Sequence, residues 1–146
     1  MKIDIDIDEK YNELSVQIKA PKLTSDIERM ISIMRMIDMQ LAVKKGDEIV
    51  LVETNQILYF ETVERNTFVY TKENIYEVDL RLYEVEQQLI DQGFIRISKT
   101  CILNLKKIQS LKADINRKIK VTLINGEQII VSRNYADELR RRLGVR

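Results

Sequence analysis

The start of the chain alternates apolar and polar residues in the pattern of a half-buried strand. Ile3, Ile5 and Ile7 are separated by aspartates, and a second alternating run occupies residues 14–18. A polar break over residues 9–13 separates the two runs. Together they predict a small N-terminal β-hairpin.

A helix is predicted next along the chain. Ser25 and Glu28 have the spacing of a capping box, and apolar residues then recur every three or four positions as far as Ile37. Four methionines lie in or beside this helix: Met30, Met34, Met36 and Met39. They are compatible with two interpretations, an adaptable docking surface or ordinary core packing.

After a turn signal at Gly46 and Asp47, the chain becomes a succession of short strands. Runs of β-branched and aromatic residues predict strands over residues 47–53, 57–61, 67–71, 75–80, 95–97, 101–105, 108–112, 118–124 and 128–131. Asn125-Gly126 separates the last two runs, and this pair is the strongest hairpin signal in the chain because both residues tolerate positive φ.

Two further helices are predicted among these strands. One carries an apolar stripe from Leu82 to Ile90 and ends near Gly93. The other follows Ser132, a suitable N-cap, and ends at Gly144.

The pattern as a whole predicts a mainly β (α+β) fold in two parts. We expect an N-terminal hairpin and helix extension over residues 1–46 and a mostly β main domain over residues 47–146. No apolar run is long enough for a transmembrane helix or a signal peptide, so we predict a cytoplasmic protein.

The composition excludes several kinds of chemistry. The chain has no His and a single Cys, Cys101, which excludes imidazole-based catalysis, His-containing zinc sites and internal disulfides. No glycine-rich phosphate-binding loop is present, and paired carboxylates lie on predicted polar helix faces. We therefore predict a non-enzymatic protein without a metal site, cofactor or small-molecule substrate.

Charge is unevenly distributed along the chain. Residues 1–46 contain 8 basic and 8 acidic side chains, residues 47–95 contain 3 and 11, and residues 96–146 contain 13 and 4. The segment charges of 0, −8 and +9 add to the formal +1 of the whole chain. The basic final third is compatible with an anionic partner, and equally with neutralisation by the acidic segment.

Polar and basic residues lie at three junctions between predicted elements. The three groups are Arg65 with Asn66, Ser98 with Lys99 and Thr100, and Arg133 with Asn134. Loops on a β scaffold commonly carry recognition side chains, and these residue types match base edges and phosphates. Each group taken singly is also compatible with an ordinary exposed turn.

Several motifs resemble, in order, those of the LytTR-type DNA-binding domain of bacterial transcription regulators. Residues 57–61 (ILYFE) are similar to the opening strand motif of that family. Residues 94–105 (FIRISKTCILNL) are similar to its central signature, and residues 125–126 (NG) and 131–135 (VSRNY) resemble its closing hairpin and ending. The resemblance spans residues 47–144.

The resemblance implies an elongated arrangement of small antiparallel sheets with short helices, whose loops enter successive major grooves of DNA. The family's base-reading positions correspond to Asn66 or Arg65, to Lys99 and to Arg133. Arg96 either contacts DNA or supports the central loop from behind. The full set of candidate DNA-contacting residues is Lys99, Arg133, Asn66, Arg65, Ser98, Asn134, Arg96, Lys106 and Lys107.

A sequence-specific regulator that binds double-stranded DNA is therefore expected, with two copies on tandem half-sites. Residues 1–46 are too few for the receiver domain of many such regulators and resemble the short stand-alone subgroup, which is often associated with a small membrane protein. The helix predicted from residue 25 to 37 is expected to make a homodimer contact or to dock such a membrane protein. Alternatively, it covers one sheet of the main domain.

Two other functions stay open on the sequence alone. One is an RNA-binding β module, and the other is a protein-interaction module whose acidic and basic halves contact a partner. The aromatic residues lie mainly in the acidic half of the chain, which is unfavourable for a base-stacking surface in the basic segment.

Overall fold

Three α-helices and ten β-strands are formed in the computed structural model of the protein, which describes residues 1–37 and 39–145. In chain order they are α1 (Ser25–Ile37), β1 (Gln40–Lys45), β2 (Glu48–Glu53), β3 (Ile57–Val63), β4 (Asn66–Thr71), β5 (Ile75–Val78), α2 (Leu82–Leu89), β6 (Phe94–Ser98), β7 (Cys101–Asn104), β8 (Ile108–Ala113), β9 (Ile119–Leu123), β10 (Gln128–Val131) and α3 (Arg133–Leu143). Each strand predicted after residue 46 is present close to its predicted bounds. The mainly β prediction is therefore confirmed.

The strands form two antiparallel sheets. The larger has the order β2-β1-β5-β4-β3-β7-β6, and the smaller has the order β10-β9-β8. The first four residues of β3, Ile57 to Phe60, are all buried. An uninterrupted buried run is typical of a strand that is covered on both faces.

Each face of the large sheet packs against a different layer. On one face, the rings of Phe60 and Phe94 meet edge to face with centroids 5.7 Å apart and pack with Leu89 of α2. On the other face, Leu103 of β7 packs with the small sheet and with Leu139 of α3. The central strands are thus fixed by apolar burial from two sides.

Three predicted helix boundaries are confirmed by the backbone geometry, whereas Ser25 is the first residue of α1 and Thr24, not Ser25, precedes the helix. Gly93 and Gly144 have φ of 86° and 70°, in the left-handed region that commonly ends helices. Ser132 is extended, with φ −68° and ψ 152°, immediately before the first residue of α3. Ser132 therefore occupies the N-cap position, as predicted.

The N-terminal hairpin predicted at residues 3–7 and 14–18 is wrong, because no described residue before Gln40 forms a strand. The two apolar runs are largely exposed, with 90% exposure at Ile7 and 85% at Leu14. An alternating pattern permits a strand, but the apolar face must also be covered, and an isolated two-stranded hairpin is marginal in water. The described residues provide no such cover.

The methionines around α1 divide between two environments. Met39 packs against the core on the α2 side of the large sheet, as core filler would. Met30 and Met34 are half-buried, and neither core contains a described residue that precedes Met39. The side chain of Met36 lies outside the described residues.

The turn at Gly46 and Asp47 joins two paired strands. β1 and β2 are in register with Lys45 opposite Glu48, and β1 also pairs with β5 through Lys44. Residues 40–45 therefore lie in the large sheet, although the sequence placed them in the extension. A glycine turn signal marks a hairpin as readily as a domain boundary, and the pattern alone does not distinguish the two.

Replacing Asn104 by Ala should destabilise the fold. Asn104 is buried, its Nδ2 donates to the Ile57 carbonyl at 2.8 Å, and its Oδ1 accepts from the Lys106 amide at 3.1 Å. Leaving such groups unpaired costs about 1 to 3 kcal/mol. Urea unfolding measures the loss, with the exposed Gln87→Ala as control. Equal unfolding midpoints for the two variants would contradict this account.

Candidate nucleic-acid interface

All three polar junctions lie at one end of the large sheet. Glu61 of β3 is opposite Cys101 of β7, which brings the β3–β4 turn and the β6–β7 turn to the same end. The Ser132 amide donates to the Ile97 carbonyl at 3.0 Å, which brings the start of α3 to that end as well. We call residues 63–66, 98–101 and 132–134 the loop edge.

The β3–β4 turn has an unusual backbone for its sequence. Val63 pairs with Asn66, so Glu64 and Arg65 form a two-residue turn, and their φ angles are 50° and 75°. Positive φ at both central residues is the geometry of a type I′ turn, which favours Asn and Gly. Arg65 and Asn66 are both exposed at its tip.

The β6–β7 turn is held by hydrogen bonds on both sides. Ser98 pairs with Cys101, and the Ser98 hydroxyl accepts from the Thr100 amide at 3.2 Å. The Thr100 carbonyl accepts from the Thr62 amide of β3 at 2.8 Å. Lys99 is exposed at the tip of the turn.

Arg96 lies behind this turn and bonds to two elements. Its Nε donates to Glu86 Oε2 of α2 at 3.0 Å, and its Nη1 donates to the Lys99 carbonyl at 3.0 Å. The side chain of Arg96 is only 19% exposed. Of the two roles expected for Arg96, these contacts favour support of the loop.

The β3–β4 and β6–β7 turns border one cleft of about 620 Å³. Arg65, Asn66, Arg96, Lys99 and Thr100 line it, together with acidic residues of β5, α2 and the loop between them. The structure thus brings four of the predicted residues into one cleft of mixed charge. Ser98 contributes its hydroxyl to the turn geometry and is not part of the cleft lining.

Arg133 and Asn134 lie in a second groove, of about 740 Å³, at the start of α3. Both are exposed in the first turn of the helix, where the free amide groups and the helix dipole favour anions. Asn116 and Arg117 of the β8–β9 loop line the same groove, as do Asp137 and Arg140.

Asn116 belongs to this groove but was not among the predicted site residues. Asn116 and Arg117 have φ of 59° and 64°, so the loop turns through two consecutive left-handed residues. Asn tolerates this conformation better than most residues. The sequence signal was therefore a single Asn between two predicted strands, which indicates a turn but not its position next to Arg133.

Lys106 and Lys107 lie away from the loop edge, although both were predicted to contact DNA. They follow Asn104 at the far end of β7, whereas Lys99 precedes the near end of that strand. The side chain of Lys106 lies close to Gly93, where its Cε is 3.7 Å from the place that a Cβ on this glycine would occupy. Charge in the sequence carried no information about which end of the sheet these lysines occupy.

Two ionisable groups at and behind the loop edge, Cys101 and Tyr59, are held in neutral form by their surroundings. Burial raises the pKa of the Cys101 thiol to about 12. Tyr59 stacks on Tyr70 with ring centroids 4.3 Å apart, and its hydroxyl donates to Glu127 Oε2 at 2.7 Å. Burial and the Glu127 carboxylate raise the pKa of Tyr59 above its usual value.

Two features are absent from residues 1–37 and 39–145. In this part of the chain, no helix has the length and apolar character needed to cross a membrane. No group of three or more Cys, Asp or Glu side chains in these ranges is arranged to hold a metal ion.

Comparisons with known proteins agree with the resemblance noted above. Residues 47–144 match the family described as LytTr DNA-binding domain. Relatives from Staphylococcus aureus strains MSSA476 and MW2, each described as an uncharacterized HTH-type transcriptional regulator, are 30% identical over 147 residues, with 99% of both chains covered. A solved LytTr DNA-binding domain of a putative methyl-accepting/DNA response regulator from Bacillus cereus matches with TM-score 0.68 and 28% identity, over 72% of this chain and 96% of that one.

Cys101 should react slowly with alkylating reagents in the folded protein. It is the only Cys of the chain, and a thiol with pKa about 12 is almost entirely protonated at pH 8, whereas the thiolate is the reactive form. We expect alkylation by iodoacetamide at pH 8 to be at least about tenfold slower than in the same chain unfolded in urea. Mass spectrometry over time measures both rates, and equal rates would show that the thiol is not protected.

Proposed function

Because the chain belongs to the LytTr DNA-binding domain family, it is a DNA-binding transcription regulator, and we propose that it recognises double-stranded DNA through the loop edge. The observation that carries this proposal is the register of the large sheet, which brings the three junctions of the family motifs to one end. Side chains for base recognition and for phosphate contact are both present there.

Side chains at the loop edge and in the adjacent α3 groove suit two kinds of DNA contact. Lys99 and Arg133 can donate to guanine O6 and N7, and Asn66 or Arg65 can contact a neighbouring base. Arg117 and Arg140, which line the α3 groove, can neutralise phosphates, and Asn134 can donate to a phosphate oxygen. Lys106 and Lys107 are left out of this proposal because they lie at the other end of β7.

Recognition by loops fits this fold better than recognition by a helix pair. Among the described residues, no α-helix is followed directly by another, since β1 follows α1 and β6 follows α2. A helix-turn-helix needs two helices that are joined by a short turn. The relatives carry that term in their descriptions, but in this chain the exposed basic side chains of the loop edge lie on turns and at the start of α3.

The aromatic residues give little support to a single-stranded RNA module. Tyr59 and Phe60 are buried, and Tyr59 stacks on Tyr70 instead of presenting a free ring. Among the described aromatic residues after residue 46, Tyr83 alone is exposed, and one ring cannot stack a series of bases. Modules that bind single strands stack bases on exposed aromatic rings. Duplex DNA is therefore the better-supported nucleic acid.

Replacing Arg133 or Lys99 by Ala should weaken and relax DNA recognition. A duplex selected from a randomised pool by the unmodified protein at near-physiological salt provides the probe. Each variant should lose about 1 to 3 kcal/mol of binding to this duplex and discriminate less at one base pair. Fluorescence anisotropy with the selected duplex and its single-base variants measures both effects.

Lys72→Ala is the matched control for this experiment. Lys72 is an exposed lysine on the β4–β5 turn, at the opposite end of the same sheet. It should leave affinity and base preference unchanged. If the Arg133 and Lys99 variants behave like Lys72→Ala, or if no sequence is enriched from the pool, the loop edge does not read DNA.

We also propose that the N-terminal extension contacts a second copy of the chain, so that a homodimer binds tandem half-sites. Large apolar side chains are exposed throughout residues 1–24, at Ile3, Ile5, Ile7, Leu14, Val16, Ile18 and Leu23. Exposed apolar residues at strand spacing favour a protein partner. A small membrane protein is the other candidate for this surface. Because bacterial DNA lies in the cytoplasm, we also propose a cytoplasmic location for the protein.

Self-association should depend on the first apolar run. Weak protein contacts are occupied at about 50 μM. At this concentration we expect the full chain to sediment as a dimer. The triple variant Ile3→Ser, Ile5→Ser, Ile7→Ser should sediment as a monomer. Ile115→Ser is the control, because Ile115 is 76% exposed elsewhere on the surface. A monomeric unmodified chain would contradict the homodimer and leave the membrane protein as the candidate.

A further inference from the structure

We propose that Arg96 and Glu86 form a positioning pair that fixes the β6–β7 turn for DNA recognition, without contact between Arg96 and DNA. This inference rests on the proposed function of the loop edge, and it assigns α2 a role in that function. Glu86 lies in α2, Arg96 lies in β6, and the Lys99 carbonyl lies in the turn. The pair therefore connects a helix on one face of the sheet to the recognition turn.

The geometry of the guanidinium supports this role. Nε and Nη1 are separate donors on one rigid plane, and they bond to Glu86 Oε2 and to the Lys99 carbonyl, each at 3.0 Å. The first bond is also an ion pair, in which the side chain of Glu86 is 40% exposed and that of Arg96 is 19% exposed. Arg holds its two donors at fixed positions on separate nitrogens, whereas Lys presents its donors from one nitrogen at the end of a flexible chain.

The turn backbone is thereby fixed at consecutive carbonyls. Arg96 binds the Lys99 carbonyl, and the Thr62 amide binds the Thr100 carbonyl at 2.8 Å. The exposed Lys99 side chain then starts from a fixed backbone, and less conformational entropy is lost when it binds a base. Without the Arg96 bond, the Lys99 side chain would still be present, but its backbone would be less restrained.

Direct phosphate contact by Arg96 is the competing explanation, and it makes the opposite prediction for Glu86. If Arg96 met a phosphate, removal of the Glu86 carboxylate would free the guanidinium and remove a negative charge near DNA, so binding would be unchanged or tighter. If Arg96 positions the turn, removal of Glu86 releases its anchor. Binding then weakens although the protein becomes more positive.

The experiment compares Glu86→Ala with Asp79→Ala on the selected duplex described above. Asp79 is an exposed acidic residue that lines the cleft next to Arg96 and Lys99. We expect Glu86→Ala to weaken binding about fivefold to twentyfold, within the range of one lost base contact. Asp79→Ala should bind equally well or more tightly. Unchanged or tighter binding by Glu86→Ala would overturn the proposal.

Two Arg96 variants distinguish positioning of the turn from contact between the Arg96 charge and a phosphate. Arg96→Gln and Arg96→Lys should both weaken binding by a similar factor, and neither should change the slope of log affinity against log salt, because no phosphate contact is lost. Full recovery with Arg96→Lys, or a reduced slope with Arg96→Gln, would show a phosphate contact instead. Thermal unfolding checks that each variant is folded. If Glu86→Ala is unfolded, Glu86→Gln replaces it, and we again expect weaker binding.

Lys99→Ala distinguishes failure of this proposal from failure of the proposed function. If Lys99→Ala binds normally, the β6–β7 turn does not read DNA and the positioning pair has no target. If Lys99→Ala binds weakly while Glu86→Ala binds normally, the loop edge recognises DNA but α2 does not position it.

Discussion

The pairing of β3 with β7 is the contact on which the loop edge depends. It places Glu61 opposite Cys101 and allows the Thr62 amide to reach the Thr100 carbonyl. A slip of one residue would exchange the two faces of β3 and separate the two turns. Such a slip is strongly disfavoured because both faces of this strand are buried, with Phe60 on one side and Leu58 on the other. Core packing therefore determines where the exposed polar residues lie.

The two layers that cover the large sheet both contact β6 next to the loop edge. The Arg96 side chain bonds to Glu86 of α2, whereas the carbonyl of the next residue, Ile97, accepts from Ser132 at the start of α3. The register of β6 against β7 shifts between Arg96 and Ser98, immediately before the turn. Bulges of this kind change the direction of side chains near functional sites. One irregular strand thus places the β6–β7 turn next to a helix terminus.

The sequence predicted the elements of the main domain well because their signals are local. Alternation, the Asn125-Gly126 pair and the glycines after α2 and α3 each act within a few residues, and the structure follows them. The family motifs also located the three junctions. Their common position at one end of the sheet depends on register between distant strands, which no local pattern contains.

The features that the sequence alone did not place share a physical cause. The alternating N-terminal runs lack a covering partner among the described residues, so their strand propensity has no effect. Lys106 and Lys107 are basic like Lys99, but a strand of four residues separates them from the turn. Arg96 was ambiguous because a strand side chain points to one of two faces, and only the position of Glu86 on α2 decides which contacts it makes.

The distribution of charge in three dimensions limits what nonspecific attraction can contribute. The cations of residues 96–146, a segment of net charge +9, do not all lie at the loop edge. Lys106 and Lys107 lie at the other end of β7, and Arg141 pairs with Glu138. Each phosphate contact changes the slope of log affinity against log salt by about −0.9, so a few contacts give only modest general affinity. The proposed recognition therefore relies on a small number of polar side chains on turns of fixed geometry, and on the hydrogen bonds that hold those turns from behind.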